Sequence, residues 1–195
     1  MYRIGLILAA GRGRRMGRTK QLVMWPAADG EKPLVAAAYD TIRGACEEMI
    51  VVLGHEADAV AAALGDRPFH RVTSDPDAQM FDSIRAGMDA AQSIDTRATV
   101  VLQLGDHPQL SETTLSALVA AAEGISDRAI LPEHRGRGGH PILIPPPVIA
   151  RLLTADCPGG LARFWSGHPD LCLRISVDDP GVVMNVDTPA QLRQP

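Results

Sequence analysis

The sequence predicts an α/β fold in which helices cover both faces of a mostly parallel sheet. The first observation is an alternation: short apolar runs, typical of strands buried on both faces, are followed by segments with apolar residues at helical spacing. Because parallel strands need a crossover between them, this alternation indicates a parallel sheet. The second observation is a length of 195 residues with no internal repeat or clear linker, which predicts one domain spanning residues 1–195.

The first two thirds of the chain carry the most regular pattern. Apolar runs predict strands at Ile4–Ala10, Met49–Leu53, Phe69–Thr73 and Thr99–Leu104. A long helix is predicted from the helical spacing of Leu34, Ala38, Ile42, Ala45, Cys46 and Met49. Further helices are predicted at Ala57–Leu64, Ser83–Ala91 and Ser111–Glu123. Ser111 is a favourable N-cap for the last of these helices, and Glu112 favours its first turn.

The last third of the chain is less regular. Short extended pieces are predicted at Ala129–Leu131 and Pro141–Ile144, with the loop Glu133–His140 between them. Three consecutive prolines, beginning at Pro145, introduce a helix that runs to Leu153, and a second helix is predicted at Gly160–Trp165. Strands are predicted at Leu171–Val177 and Val182–Val186.

Composition and charge exclude several classes of function. Aromatic residues make up 4% of the chain, which argues against an RNA-reading surface built on base stacking. The net charge of −4 gives no general attraction to nucleic acid or to an anionic membrane. Cys46, Cys157 and Cys172 are scattered, as expected for thiols in a reducing compartment. The apolar start is too short for a signal peptide, and we expect a soluble cytoplasmic protein that binds neither nucleic acid nor membrane.

The most informative segment runs from Leu8 to Lys20, directly after the first predicted strand. It contains four arginines and one lysine, and the first acidic residue of the chain comes only at Asp29. Glycines let the main chain approach a ligand and point N–H groups at it, while arginine and lysine suit phosphate oxygens. Because open α/β sheets bind ligands at the carboxyl ends of their strands, the segment predicts a phosphate-binding loop.

The glycine spacing excludes the two commonest phosphate loops. Gly11, Gly13 and Gly17 place the third glycine one residue too late for the dinucleotide pattern G-x-G-x-x-G. The P-loop string G-x-x-x-x-G-K-[ST] does not occur. The spacing therefore counts against an NAD-dependent dehydrogenase and against a P-loop protein.

The segment Leu8-Ala-Ala-Gly-x-Gly-x-Arg15-Met-Gly17-x-x-Lys20 resembles the signature of the MobA-like NTP transferase family. Its double alanine is most similar to the molybdopterin cytidylyltransferase (MocA-like) branch. The resemblance continues through Phe81–Gly87, Gly105–Pro108, Gly138–Pro141, Gly159–Arg163 and Asp187–Pro189. It implies a Rossmann-like three-layer sandwich of the nucleotide-diphospho-sugar transferase type. It also implies transfer of a nucleoside monophosphate from an NTP to a phosphorylated acceptor, with release of pyrophosphate.

The resemblance implies roles for particular residues. Lys20, Arg15 and Asp106 are the predicted catalytic residues, with Lys20 and Arg15 on the β- and γ-phosphates. The predicted nucleotide-binding residues are Leu8, Ala9, Ala10, Gly11, Arg12, Gly13, Arg15, Lys20, Ser74, Asp75, Ser83 and Asp106. For Ser74, Asp75 and Ser83, which follow the third predicted strand, ordinary turn and cap roles are an equal alternative. His140 and Arg163 are candidates for binding the acceptor, although His140 also fits a mobile surface hairpin.

A metal site is predicted at Asp106 and Asp187, because two carboxylates at neighbouring strand ends can share one Mg²⁺ with a triphosphate. Asp106 can instead be a turn residue before Pro108, and Asp187 an N-cap before a final helix. Asn185 stands where relatives often carry an earlier aspartate. Whether Asn185 or Asp187 completes the metal site is left open.

The substrate is also left open by the sequence. CTP is favoured over GTP only by the resemblance of Ala9-Ala10, and molybdopterin is the acceptor that the resemblance implies. A GTP-dependent molybdopterin guanylyltransferase and an NTP transferase acting on another phosphorylated acceptor are alternatives. A third alternative is a non-catalytic nucleotide-binding protein that helps to mature a molybdoenzyme. A molybdoenzyme or its chaperone is a candidate partner.

Overall fold

The computed structural model describes residues 1–12, 19–28 and 30–186. Its strands are β1 (Arg3–Ala9), β2 (Met24–Ala27), β3 (Gly30–Pro33), β4 (Glu48–Leu53), β5 (His70–Thr73), β6 (Thr99–Leu104), β7 (Ala129–His134), β8 (Arg137–Gly138), β9 (Ile142–Ile144) and β10 (Cys172–Ser176). Its α-helices are α1 (Leu34–Arg43), α2 (Ala57–Ala62), α3 (Met80–Ile94), α4 (Glu112–Ala122), α5 (Pro146–Thr154) and α6 (Gly160–Gly167). Short 3₁₀ turns lie at Lys20–Leu22, Pro169–Leu171 and Pro180–Val183. Among the helices of these described ranges, none is long and apolar enough to span a membrane.

The central sheet is mostly parallel, as the sequence predicts. Its strands lie in the order β10-β7-β9-β6-β1-β4-β5, with β8 paired to β7. The strand β1 pairs in parallel with both β4 and β6, and β7 pairs in parallel with β10. The exception is β9, which runs antiparallel to both β6 and β7. The short connection from β7 to β9 leaves no room for the crossover that a parallel neighbour requires.

Helices cover both faces of the sheet, which confirms the three-layer α/β arrangement. Along β1, Leu6 belongs to a buried cluster that includes residues of α3, α5 and α6. The next residue, Ile7, belongs to a second buried cluster, built with α1, α2 and α4. Successive residues of a strand point to opposite faces, so a strand buried on both sides needs apolar residues at nearly every position.

The predicted first long helix extends too far. The helix α1 ends at Arg43, and the next residue, Gly44, caps it. Cys46 and Met49 lie in the connection and in β4, yet both are buried in the same cluster as α1. Their apparent helical spacing therefore reflects burial rather than helix. By contrast, Ser111 is confirmed as an N-cap, since its Oγ accepts a hydrogen bond from the main-chain N–H of Thr114 at 3.1 Å.

Two predictions about local structure are wrong. The predicted strand Val182–Val186 is instead the end of a 3₁₀ turn, Pro180–Val183, followed by an irregular segment. Proline at the start of this turn favours a helical φ, and the Asp179 side chain caps it by accepting from the main-chain N–H of Gly181 at 2.8 Å. The second wrong prediction is the loop Glu133–His140, which contains the end of β7 and all of β8. The hairpin of β2 and β3 has no counterpart among the predicted elements.

Alanine substitutions at two glycines are expected to change the free energy of unfolding in opposite directions. A Cβ at Gly87, inside α3, would overlap the Cδ atoms of Leu6 on β1, so Gly87→Ala is expected to lower the free energy of unfolding by about 1–3 kcal/mol. Gly44 has a helical φ of −64° and open space around its Cα, so Gly44→Ala is expected to raise it by about 0.4–1 kcal/mol. Urea denaturation of the two variants tests both values. Equal effects in the two variants would contradict this account of helix–sheet packing.

Candidate functional site

A cavity of about 310 Å³ opens at the carboxyl ends of β1 and β6. Leu8, Ala10 and Gly11 form its wall on the β1 side, and Gly105 and Asp106 form its wall on the β6 side. The segment between β5 and α3 forms the opposite side, with Asp75, Met80 and Ser83, and Asn185 completes the rim. Residues that are far apart in sequence therefore meet where an open α/β sheet ordinarily binds its ligand.

Glycines allow the strand ends to approach each other closely at this cavity. The main-chain N–H of Gly105 donates to the carbonyl oxygen of Leu8 at 2.9 Å, and a Cβ on Gly105 would lie 2.8 Å from that oxygen. On the other side of β1, a Cβ on Gly54 would lie 2.6 Å from the carbonyl oxygen of Ala10. A side chain at either position would push the main chain of β1 away from its neighbour, so the shape of the cavity depends on these glycines.

The central charged feature of the site is an ion pair between Lys20 and Asp106. The Lys20 Nζ lies 2.6 Å from Oδ2 of Asp106, which follows β6 directly. The Lys20 side chain is only 8% exposed, whereas Asp106 is 27% exposed. A largely desolvated ammonium is a strong partner for an anion, because few water molecules compete for it. The pair places one fixed cation beside a carboxylate that can still reach solvent.

Gln21, which sequence analysis overlooks, ties the lysine turn to the end of β1. Its Nε2 donates to the carbonyl oxygens of Ala9 at 3.2 Å and Gly11 at 3.1 Å. The side chain is buried, and it also lines the cavity. Met80 is a second lining residue that the sequence does not single out, although it lies next to the recognised Phe81–Gly87 motif. Neither side chain carries a charge or a spacing that marks it before the fold is known.

The predicted residues after the third strand divide between the cavity and its support. Asp75 and Ser83 line the cavity, while Ser74 is buried with its Oγ 2.9 Å from Oγ of Ser83. The Asp75 Oδ1 accepts from the main-chain N–H of Asp77 at 2.9 Å, which fixes the turn. Arg12 reaches the same turn and forms two hydrogen bonds with Asp77, at 2.8 Å and 2.5 Å. The loops after β1 and β5 are therefore joined across one side of the site.

Of the other predicted site residues, those at the end of β1 can be placed relative to the cavity, and three others lie outside the described residues. Leu8, Ala10 and Gly11 line the cavity, but the Ala9 side chain is buried in the cluster beneath α1. Ala9 can therefore offer a ligand only its main chain. Gly13, Arg15 and Asp187 lie outside the described residues, so their predicted roles stay predictions.

The two predicted acceptor-binding residues are not among the residues that line this cavity. His140 packs beside β6, with its Nδ1 3.4 Å from the carbonyl oxygen of Leu102 and its ring edge-on against His107. Its main-chain N–H donates to the carbonyl oxygen of Val182 at 2.8 Å, which ties this end of the predicted hairpin to the core. Arg163 lies on the exposed side of α6. Their assignment to the acceptor stays a prediction.

Burial, together with the neighbouring His107, lowers the pKa of His140 to about 4. The unfolded chain takes up a proton on this histidine below about pH 6.5, whereas the folded chain does so only near pH 4. The free energy of unfolding is therefore expected to fall by about 2 kcal/mol from this residue as the pH decreases from 7 to 5. His140→Gln should lose that part of the pH dependence. Denaturant titrations of both proteins at pH 7 and pH 5 provide the test. The same decrease in the free energy of unfolding in both proteins would contradict the prediction.

The donor set at the cavity suits a hard divalent cation that also binds phosphate. Asp106 contributes a carboxylate and Asn185 an amide oxygen, and the main-chain N–H of Val186 donates to the Asp106 carbonyl at 3.0 Å. The described residues contain no cluster of three or more histidine, cysteine or acidic side chains that can hold a metal by itself. Mg²⁺ typically takes one or two protein carboxylates and completes its shell with phosphates and water, so these residues fit it when a triphosphate is present.

The fold and the cavity together define an α/β protein with a phosphate-compatible site at the ends of its parallel strands. Residues 5–171 match the family described as the MobA-like NTP transferase domain. The chain therefore belongs to the MobA-like NTP transferase family, a family of nucleotidyltransferases. This membership confirms the resemblance drawn from the basic loop.

Individual relatives cover nearly the whole chain. Nicotine blue oxidoreductase of Paenarthrobacter nicotinovorans is 31% identical over 203 residues, which cover 96% of this chain and 93% of that protein. The structure of Rv0371c from Mycobacterium tuberculosis H37Rv is 26% identical, with a TM-score of 0.80 and coverage of 100% of this chain and 97% of that one.

Two further solved structures bear on the fold and on metal binding. A manganese complex of Rv0371c is 25% identical, with a TM-score of 0.68 and coverage of 91% and 89% of the two chains. The nucleotidyl transferase Mth528 from Methanothermobacter thermautotroptrophicus shares the fold, with a TM-score of 0.78 at 22% identity and coverage of 97% and 93%.

Proposed function

We propose that this protein transfers a nucleoside monophosphate from an NTP, with CTP favoured, to the phosphate of a molybdopterin acceptor, and releases pyrophosphate. The observation that carries the proposal is the largely buried Lys20, paired at 2.6 Å with Asp106 on the wall of the cavity. A triphosphate placed against the β1 loop meets main-chain groups, a desolvated cation and a carboxylate that can share a metal ion.

The chemistry is an in-line displacement at phosphorus. An oxygen of the acceptor's phosphate forms a bond to the α-phosphorus of the NTP, while the bond from that phosphorus to the α–β bridging oxygen breaks. The bonding electrons leave with pyrophosphate. Because the attacking phosphate is already anionic, the step needs no general base from the protein. Positioning and charge neutralisation supply the catalysis in such transfers.

Each residue has a defined task in this scheme. Lys20 stabilises the charge that develops on pyrophosphate, and Arg15 is proposed to act beside it. Asp106, together with Asn185 or Asp187, would hold Mg²⁺, which when bound neutralises phosphate charge. The main chain of the loop that begins at Leu8 holds the phosphates. The solved complex of the related Rv0371c with manganese supports a divalent cation as part of this proposal.

The choice of CTP and molybdopterin has narrower support than the transfer itself. It rests on the Ala9-Ala10 version of the loop and on its resemblance to the cytidylyltransferase branch. One observation favours a second candidate, since a relative that matches 96% of this chain is named an oxidoreductase. Reduction of a dye-like substrate is therefore an alternative activity to be tested alongside transfer.

A pyrophosphate-release assay tests the proposal directly. Purified protein is incubated with each of the four ribonucleoside triphosphates, with Mg²⁺ or Mn²⁺, and with or without molybdopterin. Release that requires both CTP and molybdopterin is the expected result. Release that requires GTP instead would point to guanylyl transfer. Nucleotide binding without release would favour an accessory role, and NAD(P)H oxidation with a dye but no pyrophosphate would favour the oxidoreductase.

A further inference from the structure

A backbone conformation that is unfavourable for its residue type lies close to the lysine turn. Glu56 has φ 50° and ψ 40°, in the left-handed region that glycine or asparagine ordinarily occupies. Arg135, in the exposed turn between β7 and β8, also has φ 50°. Such conformations cost free energy and are retained where the surrounding structure over-determines them, which makes each one a reason to examine its side chain.

The Glu56 side chain reaches away from its own helix. Glu56 occupies the N-cap position of α2, yet its side chain makes no capping hydrogen bond there. Its Oε2 instead accepts a hydrogen bond from Oγ1 of Thr19, which is 37 residues earlier in the chain and buried. The unfavourable backbone conformation therefore accompanies a long-range contact and not a local cap.

The main chain of Thr19 forms part of the short turn that carries Lys20. Its carbonyl oxygen accepts from the main-chain N–H of Leu22 at 3.1 Å, which closes the three-residue turn that begins at Lys20. A turn this short has little stability of its own, so its direction depends on what holds its first residue. Glu56 is in turn fixed to the sheet, because the adjacent His55 donates its main-chain N–H to the carbonyl oxygen of Ala10 at 3.1 Å.

We propose that Glu56 is a positioning residue, which holds Thr19 and thereby directs the Lys20 ammonium to Asp106 and to a bound triphosphate. This role rests on the proposed function only for its catalytic consequence. On this proposal, the unfavourable backbone conformation of Glu56 is retained because its carboxylate anchors the turn that begins at Lys20. Replacement by glycine relieves the backbone and removes the anchor at the same time, so the two effects have to be followed by separate measurements.

The chain offers a direct readout of the position of Lys20. It contains two lysines, Lys20 and Lys32, so limited acetylation with an N-hydroxysuccinimide ester gives two side-chain signals in peptide mass spectrometry. Lys32, which pairs with Asp40 at 2.9 Å, is the reference within the same molecule. In Glu56→Gly, the Lys20 to Lys32 acetylation ratio is expected to rise about threefold to tenfold, the effect of one lost hydrogen bond. The melting temperature should stay level or rise, by up to about 4 °C.

Three matched variants complete the design. Thr19→Val removes the other half of the contact without touching the strained backbone, and should raise the acetylation ratio as Glu56→Gly does. Glu56→Gln keeps an acceptor oxygen and should restore a ratio close to that of the wild type. Arg135→Gly relieves the same φ on an exposed turn, and should raise the melting temperature while the ratio stays unchanged. With CTP and molybdopterin, kcat should fall about threefold to tenfold in Glu56→Gly and in Thr19→Val.

The outcomes separate this inference from the proposed function. An unchanged acetylation ratio in Glu56→Gly and Thr19→Val would overturn the positioning role, whatever the activity. A rise in both, with Glu56→Gln and Arg135→Gly near the wild-type ratio, supports it. If the wild-type protein releases no pyrophosphate, the proposed function fails, and the acetylation ratios alone still decide whether Glu56 holds Lys20.

Discussion

Replacing Lys20 with methionine is expected to lower kcat/KM for pyrophosphate release by about 10²- to 10³-fold, the cost of removing one preorganised charge partner. Methionine keeps an unbranched side chain but removes the ammonium that stabilises the negative charge on the leaving pyrophosphate. The side chain is 8% exposed, so little water can take over the role of the ammonium. Asp106 is 27% exposed and can be hydrated, so the free energy of unfolding should fall by only about 1 kcal/mol.

Lys32→Met is the matched control, since it replaces the other lysine in the chain. Lys32 pairs with Asp40 of α1, and neither residue lines the cavity at the ends of β1 and β6. Its turnover should stay within about twofold of the wild type, as is usual for one surface ion pair. Steady-state kinetics of both variants, with circular dichroism as a check on folding, make the comparison. Full turnover in Lys20→Met would contradict the assignment of Lys20 to the phosphates.

Asp106→Asn is expected to act in opposite directions on binding and on turnover. In the absence of divalent cations, the triphosphate should bind about fivefold to tenfold more tightly, because a carboxylate no longer repels it or competes for Lys20. With Mg²⁺ present, turnover should fall by about 10²- to 10³-fold, because an amide is a weaker ligand for a hard cation. The substitution preserves the size of the side chain, so packing is not the cause of either effect.

Two measurements separate these effects. Calorimetric titration with nucleotide in EDTA gives the metal-free affinity, and pyrophosphate release in Mg²⁺ gives the turnover. Asp58→Asn serves as the control, since its side chain is 91% exposed and paired with Arg71 on the surface. Weaker metal-free binding in Asp106→Asn would contradict the competition between carboxylate and phosphate for Lys20.

The core of the fold could be predicted because burial on both faces leaves a simple signature. The strand Thr99–Leu104 is predicted with its observed bounds, and Ile4–Ala10 differs from β1 by one residue at each end. Once these strands are taken as parallel, the meeting of the Leu8 loop with Asp106 follows, because the carboxyl ends of parallel strands share one edge. The structure places Lys20 at that edge as well, although no periodicity in the sequence indicates its partner.

The missed features depend on contacts between distant parts of the chain. The apolar residues of Val182–Val186 indicate burial correctly for Val182 and Val186, but burial alone does not distinguish a strand from an irregular segment beside the sheet. Gln21 carries no charge and no motif, and its role is visible only once the end of β1 lies beside it. Glutamate is not a typical left-handed residue, so nothing in the local sequence predicts the conformation of Glu56.

The pairing of Lys20 with Asp106 also determines how the site should respond to its ligands together. Free triphosphate must break this pair and leave a carboxylate beside its own negative charge. A magnesium–triphosphate complex offers an anion to the lysine and a cation to the carboxylate, so each partner exchanges one counter-charge for another. Metal and nucleotide are therefore thermodynamically linked at this site, and each should raise the affinity for the other by the same factor. The protein is then a receptor for the complex rather than for either component.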